Sequence, residues 1–368
     1  MRANLILCGF LAAVVCSAGT SQAAHKWGLK EGTPDLKSAG QLAFGPDGVL
    51  FIGDAKGAAI FAVDTGDATP AKGAPQRNID DLAGKLASVA GLKTPLAVND
   101  LAVNPLTANI FLSLSSGDDK APALVRINQS GEIALVSLAK VPFLKATLPN
   151  PPEDKLVGEG PRARNLRNEA VTDIAYASGK VLVSGVSAAG TPSQIREFAF
   201  PFSENAIGTG VEIYHGAHGR MEDNATVRTF VAMNIDGVPS VLAGFTCTPL
   251  VRFPITAIES GSKTRGTTVA ELGNRNMPLD MIAYKKGDEN FLLMSNNNRG
   301  VMKISTKDIG RKEGITAPVP NEKLTEGQAF ETIKDLEGTV QLDRLSDDLA
   351  VVIVQKDGKQ SLRTVPLP

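Results

Sequence analysis

Two histidines and one cysteine concentrate the soft-donor chemistry of this chain. His215 and His218 lie in Tyr214-His215-Gly216-Ala217-His218-Gly219-Arg220, and Cys247 lies in Phe245-Thr246-Cys247-Thr248-Pro249. Imidazole and thiolate favour zinc or copper, so the three residues are a candidate soft metal site. A cysteine beside a histidine is also the arrangement of an activated thiolate nucleophile. The His-x-x-His spacing does not choose between them. It sits in a Gly-rich stretch with no helical pattern to place both rings on one side, and a pair of loop histidines with a buried small thiol fits it equally.

The ends of the chain explain why these residues stand nearly alone. Arg2, the apolar run Leu5 to Ala18, and Ser21-Gln22-Ala23 have the layout of a secretory signal peptide, so residues 1–23 are expected to be removed and the mature chain to begin at Ala24. The run is too short to span a membrane, and no later stretch is long enough. Ala13-Val14-Val15 lacks the small residue that lipidation of Cys16 requires. The cut removes Cys8 and Cys16 and leaves Cys247 without a partner, so the fold has no internal disulfide framework. His25 then lies next to the new N-terminus. A cut one residue later would place its imidazole beside the terminal amine, a pairing suited to copper. The expected location is secreted or periplasmic.

Stability must come from a core, and about 345 residues at 43% hydrophobic composition can bury one. The net charge of −1 becomes −2 without Arg2, which leaves no electrostatic footprint for nucleic acid or an anionic membrane. Asn128-Gln129-Ser130 and Asn224-Ala225-Thr226 match the glycosylation sequon, which matters only in a eukaryotic secretory route. The chain has no Cys-x-x-Cys-His for covalent haem, no P-loop, no dinucleotide glycine fingerprint and no Gly-x-Ser-x-Gly elbow. A nucleotide cofactor and ordinary serine hydrolase chemistry are excluded on that basis.

The elements that must position these residues repeat. A short apolar strand, a Gly/Asp/Asn turn, a second strand, another turn and a third strand run from Leu42 to Asp64. The pattern returns at Leu101–Ile127, Ile174–Phe198, Phe230–Ile255, Met281–Ile304 and Leu342–Leu367. Alternating β-branched and aromatic residues between such turns are hairpin signals. Six copies at roughly 50–70 residues predict an all-β, six-bladed β-propeller occupying residues 24–368 as one domain. Trp27 to Lys30 is expected to pair with the last blade and close the ring. Two insertions interrupt the repeat. Asn78–Leu92 carries Ile79, Leu82, Leu86 and Val89 at helical spacing with Asn78 as N-cap. Leu144–Arg167, rich in proline, reads as a long surface loop.

Phe44-Gly45-Pro46-Asp47-Gly48 with Ile52-Gly53-Asp54, together with the polar pairs that open the blades, resembles the six-bladed propeller superfamily of gluconolactonase-like, senescence-marker-type proteins and NHL-type repeats. The likeness extends loosely over most of the mature chain. It implies a ligand-binding mouth where the inner strands begin and, by analogy with the lactonases, a divalent metal such as calcium held by acids and an asparagine there. By repeat position the matching residues are Asn99, Asp100, Asp173 and Asp280. The same aspartates also suit backbone capping at the entry to a strand.

His215 and His218 fall in the entry to blade 4, and Cys247 in that blade's second turn, so all are expected to open on the face carrying the aspartates. A histidine there would be a general base for water attack on an ester or lactone. Arg228, Arg275 and Asn276 also converge and would clamp an anionic substrate group, although asparagine-rich segments such as Asn296–Asn298 equally mark turns. Glu169 is a further candidate acid. Three functions follow: a metal-dependent hydrolase with His215 or His218 as base, a non-catalytic propeller binding a small molecule or a protein, and a copper or zinc site on His215, His218 and Cys247.

Overall fold

The computed structural model describes residues 26–160, 163–203, 208–310, 313–320 and 324–368. The expected signal peptide and His25 lie outside them. Six sheets, antiparallel except where Gly210–Glu212 pairs in parallel with Lys263–Arg265, stand around a central channel, and each contains one of the six sequence copies. The inner three strands are Leu42–Phe44, Leu50–Asp54 and Ala59–Val63 in blade 1. They are Leu96–Val103, Ile110–Ser116 and Ala121–Ile127 in blade 2, and Asp173–Ala177, Lys180–Val186 and Ser193–Ala199 in blade 3. Blade 4 has Val227–Ile235, Val238–Phe245 and Pro249–Pro254. Blade 5 has Pro278–Lys286, Glu289–Asn296 and Gly300–Ser305, and blade 6 has Thr339–Arg344, Leu349–Lys356 and Lys359–Pro366. The protein is a six-bladed β-propeller. No helix among the described residues is long and apolar enough to cross a membrane.

The turns follow from their residues. Ser178-Gly179, Asp236-Gly237 and Asp357-Gly358 each place two successive residues at positive φ, as a two-residue type I′ hairpin requires. The middle strands read as unbroken apolar runs because both faces of a blade are covered by neighbours. In blade 1, Phe51, Ile60 and Ala62 pack against Ile174, Val181 and Phe198 of blade 3. The alternate residues Leu50, Ile52, Phe61 and Val63 pack against Phe111 and Leu124 of blade 2. The period of two along a strand thus sends successive side chains into different interblade cores.

Those contacts reveal a ring order different from the chain order. The inner strands touch in the sequence 2, 1, 3, 4, 5, 6, and the strand of blade 6 returns to that of blade 2. The chain builds blade 1, passes to blade 2, returns to blade 1 and continues on its other side. The returning segment is strand Val141–Thr147, the fourth strand of blade 1. Its first half was expected to lie outside the insertion and its second half, Leu144–Thr147, inside a loop. The rest of that insertion contains a small ladder of Leu156–Val157 with Arg164–Asn165.

Closure differs from expectation as well. Lys30–Gly32 pairs with Val141–Phe143 on the rim of blade 1. The ring closes instead between blades 2 and 6. Ile79 bridges Leu362, Arg77 N donates to Thr364 Oγ1, and Leu82 and Leu86 fill a core with Leu112, Val125, Val351 and Leu362. The predicted helix is shorter than its apolar spacing suggests, running Leu82–Ala87 with Asp81 as N-cap rather than Asn78. Asn78 is held extended beside blade 6, where its Oδ1 accepts the N–H of Thr364.

Candidate functional site

The aspartates line the channel in a common register. Asp100, Asp173 and Asp280 pair across their blades with Ser113, Ser184 and Ser295. Blades 4 and 6 carry Thr229 and Gln341 at this level. In blades 2, 4, 5 and 6 the inner-strand register slips by one residue just before it, and a bulge of this kind re-aims the next side chain. With its amide nitrogen toward the carboxylates, Gln341 stands 2.8 Å from Asp100 Oδ1 and 3.0 Å from Asp280 Oδ2. Asp343, two residues further along blade 6, adds a fourth acid.

Each of these acids clasps a neighbouring blade. The N–H of Leu42 donates to Asp100 at 2.6 Å. Those of Phe230, Leu342 and Val103 donate to Asp173, Asp280 and Asp343, each at 2.7 Å. The second oxygen of Asp173, Asp280 and Asp343 takes the N–H of the following residue. The capping role weighed from the sequence is therefore present, and it runs between blades at four of the six junctions. Asn99, expected as a metal ligand, donates instead to Ala39 O at 2.7 Å and Ser115 Oγ at 3.0 Å.

The acids also carry a strained electrostatic load. Burial pushes Asp173 and Asp343 up to about 6, against the accepted N–H bonds. Burial also raises Asp100 and Asp280 well above the ordinary value, and the charges of the other channel aspartates reinforce it. Arg344 beside Asp343 is the cation that offsets part of this. The channel space measures about 970 Å³ and is lined by these four carboxylates together with Leu42, Phe44, Phe230, Met281 and Tyr284.

The histidines lie elsewhere. His215 ends strand Thr209–His215, the fourth strand of blade 3, and a turn leads into Arg220–Glu222. That strand is three ladder steps from the inner one, roughly 14 Å at a ~4.8 Å strand spacing. The histidines therefore share an end of the propeller with the aspartates but stand at its rim, and the joint site expected from the sequence is not formed. Glu222 replaces Cys247 as their companion. His215 Nδ1 and His218 Nδ1 each lie 2.8 Å from a Glu222 oxygen, and Arg220 Nε donates to the same carboxylate at 2.9 Å. The imidazole centroids are 3.8 Å apart. Burial would raise Glu222, but the bonds from His215, His218 and Arg220 outweigh it and bring it to about 2. Burial lowers His215, against the pull of Glu222. Beyond His215 lies Glu271 of blade 4, wholly buried and pushed up to about 7 by that burial. Gly216 N donates to Glu271 at 2.5 Å, and a Cβ on Gly216 would meet Val319 at 2.8 Å.

The remaining candidates are held by the scaffold. Cys247 occupies the expected turn at a φ of 65° and donates its N–H to Asn276 O. Asn276 also accepts from Asn296 Nδ2 and donates to Asn274 O. Arg228 Nε donates to Thr246 Oγ1, and its Nη2 lies 3.6 Å from Glu169. Arg275 has a left-handed backbone whose carbonyl accepts from Asn298. Sequence reasoning missed Glu222, Glu271, Gln341 and Asp343. Glu222 carried a signal: Gly216–Gly219 is a hairpin turn, and alternation across it returns Glu222 to the His215 face.

No protein-family model and no curated protein sequence matches the chain. Among solved structures, the PQQ-bound aldose sugar dehydrogenase of Streptomyces coelicolor is similar at 13% identity, over 91% of this chain and 96% of that one, with a TM-score of 0.38. Streptogramin B lyase is similar at 11% identity over 92% and 97%, with a TM-score of 0.28. The plexin A4 extracellular region is similar at 8% identity over 92% of this chain and 47% of that one, at 0.42. None of these likenesses bears on the chemistry of this chain.

Proposed function

We propose that this protein is an exported, non-catalytic binding propeller whose central channel takes a small organic cation with an apolar body. The observation that carries the reading is the set of four carboxylates, Asp100, Asp173, Asp280 and Asp343, facing one 970 Å³ channel. Each carboxylate keeps lone pairs beyond the backbone N–H bonds it accepts. Burial, reinforced by mutual repulsion, raises Asp100 and Asp280, and a cation among them relieves that repulsion. Phe44, Val231 and Met233 line the channel half-buried and offer apolar and aromatic surface to the rest of such a ligand.

The alternative, a metal-dependent lactone or ester hydrolase, requires an ion on Asn99, Asp100, Asp173 and Asp280 with His215 or His218 within reach of its water. The roughly 14 Å between rim and channel argues against that pairing. Calcium on these residues also finds little support, because Asn99 turns to Ala39 and Ser115 and each of the three aspartates already accepts a backbone N–H from the next blade.

Calorimetric titration with choline, putrescine and an arginine ester, with acetate and calcium as controls, tests the reading. Amines are expected to bind and acetate not to bind. Asp280→Asn should weaken amine binding about 10–100-fold, the effect of losing one charge-assisted contact. If no amine binds, or if binding is unchanged in both Asp280→Asn and Asp100→Asn, the channel is not a cation site. Calcium binding lost in the same variants would favour the hydrolase arrangement instead.

A further inference from the structure

The rim cluster stands apart from the channel and is independent of the reading above. Its donor set is two imidazoles and one carboxylate, with one ligand atom from each within 4.8 Å of the others. The hairpin fixes their relation: His215 and Glu222 sit on facing strands, and His218 N closes the turn on His215 O at 3.0 Å. His215 and Glu222 are buried, whereas the His218 side chain is 39% exposed, so an ion has a route in from solvent.

A second observation points to a ligand. His215 Nε2 and Glu271 Oε2 are both buried, face each other at 4.0 Å, and have no hydrogen-bond partner among the described residues. Two orphaned buried polar atoms are costly. While His215 Nδ1 carries the proton and donates it to Glu222, Nε2 is a bare acceptor opposite another acceptor. An ion on Nδ1 reverses the tautomer. Nε2 then bears the hydrogen and faces a carboxylate, which Gly216 N already holds in place. Metal-bound histidines characteristically donate their second N–H to such a carboxylate, which fixes the ring and raises its basicity.

We propose that His215, His218 and Glu222 bind one divalent ion of the zinc class, with Glu271 as the buried partner that orients His215. Nitrogen donors select zinc, cobalt, nickel or copper over calcium and magnesium. Three protein ligands leave a fourth position, and it opens on the solvent beside His218. Cys247 is not a ligand.

Full-length protein without a histidine tag, stripped with chelator, provides the test. Zinc is titrated by calorimetry and cobalt(II) by visible absorption. The expected result is saturable one-to-one binding with the intense bands of four-coordinate cobalt. Both signals should be lost in His218→Ala, an exposed position, with the fold of the variant checked by far-ultraviolet circular dichroism. They should persist in Cys247→Ser and in Asp280→Asn. Glu271→Gln should weaken zinc about 10–100-fold, the usual effect of removing such an outer partner. Absence of saturable zinc binding overturns the proposal. So does binding undiminished in His218→Ala, or binding that disappears in Cys247→Ser.

Discussion

Asp173 accepts the N–H of Ile174 on its own strand and that of Phe230 on the next blade. One short side chain thereby satisfies two donors on the channel wall that no ladder reaches. Removing it leaves those N–H groups without a partner, while relieving a carboxylate that burial already disfavours. The first effect is worth about 1–3 kcal/mol per unsatisfied group, so Asp173→Ala is expected to destabilise by roughly 1–3 kcal/mol net. Urea denaturation followed by far-ultraviolet circular dichroism measures this, and an unchanged midpoint would show that the clasp contributes nothing. The register of Asp100, Asp173 and Asp280 was legible because each directly precedes an apolar strand. Their partners Gln341 and Asp343 were not, because blade 6 shifts its acid two residues along the strand. Glu271 was illegible for a different reason. It meets His215 and Gly216 only because two blades pack side by side, and 55 positions of chain separate it from Gly216.

At the scale of elements, the insertion between blades 1 and 2 is structural and closes the ring. Leu82 and Leu86 are buried between blades 2 and 6, and Asp81 caps the helix by accepting the N–H of Gly84 at 2.9 Å. Leu86→Ala is expected to cost about 2–4 kcal/mol through the cavity it leaves. Asp81→Ala should cost about 1 kcal/mol. Differential scanning calorimetry would rank the two. Equal, negligible effects would mean that blades 2 and 6 hold together without this helix. The apolar spacing of Ile79, Leu82, Leu86 and Val89 revealed amphipathic structure here, yet it overstated the helix. Ile79 serves the core from an extended segment bridged to Leu362, and hydrophobic spacing alone cannot separate a helical residue from an extended one at its end.

The channel acids act on the whole molecule through pH. Burial pushes Asp173 and Asp343 up to about 6 in the folded protein, against an ordinary 3.8, and it also raises Asp100 and Asp280 well above that ordinary value. From about pH 4 upward the folded state therefore holds more protons than the unfolded chain, and stability declines as pH rises through 6. Glu222 works in the opposite sense. It is lowered to about 2 from 4.5, so its stabilisation is complete above 4.5 and disappears as pH falls toward 2. The expected profile has a maximum in mild acid. Urea midpoints from pH 3 to 8 would reveal it, and a midpoint that climbs steadily from pH 5 to 8 would contradict the assignment. Amine binding in the channel should strengthen over the same range, as the carboxylates ionise.

The sequence by itself determined the number and content of the blades. A strand buried on both faces must be apolar throughout, and a two-residue hairpin must supply residues that accept positive φ, so both leave local marks. It also located the histidines at one end of the propeller and the aspartates at one register. Only the tertiary structure decided which blades are neighbours. Apolar faces are nearly interchangeable, and the return of Val141–Thr147 to blade 1, which sets the ring order, looks locally like the start of a loop. The packing of blade 4 on blade 3 placed Glu271 behind His215, and the ladder within blade 3 set His215 three strands from the channel acids. That ladder thereby turned one expected site into two, because distance across a sheet is fixed by strand pairing and not by separation along the chain.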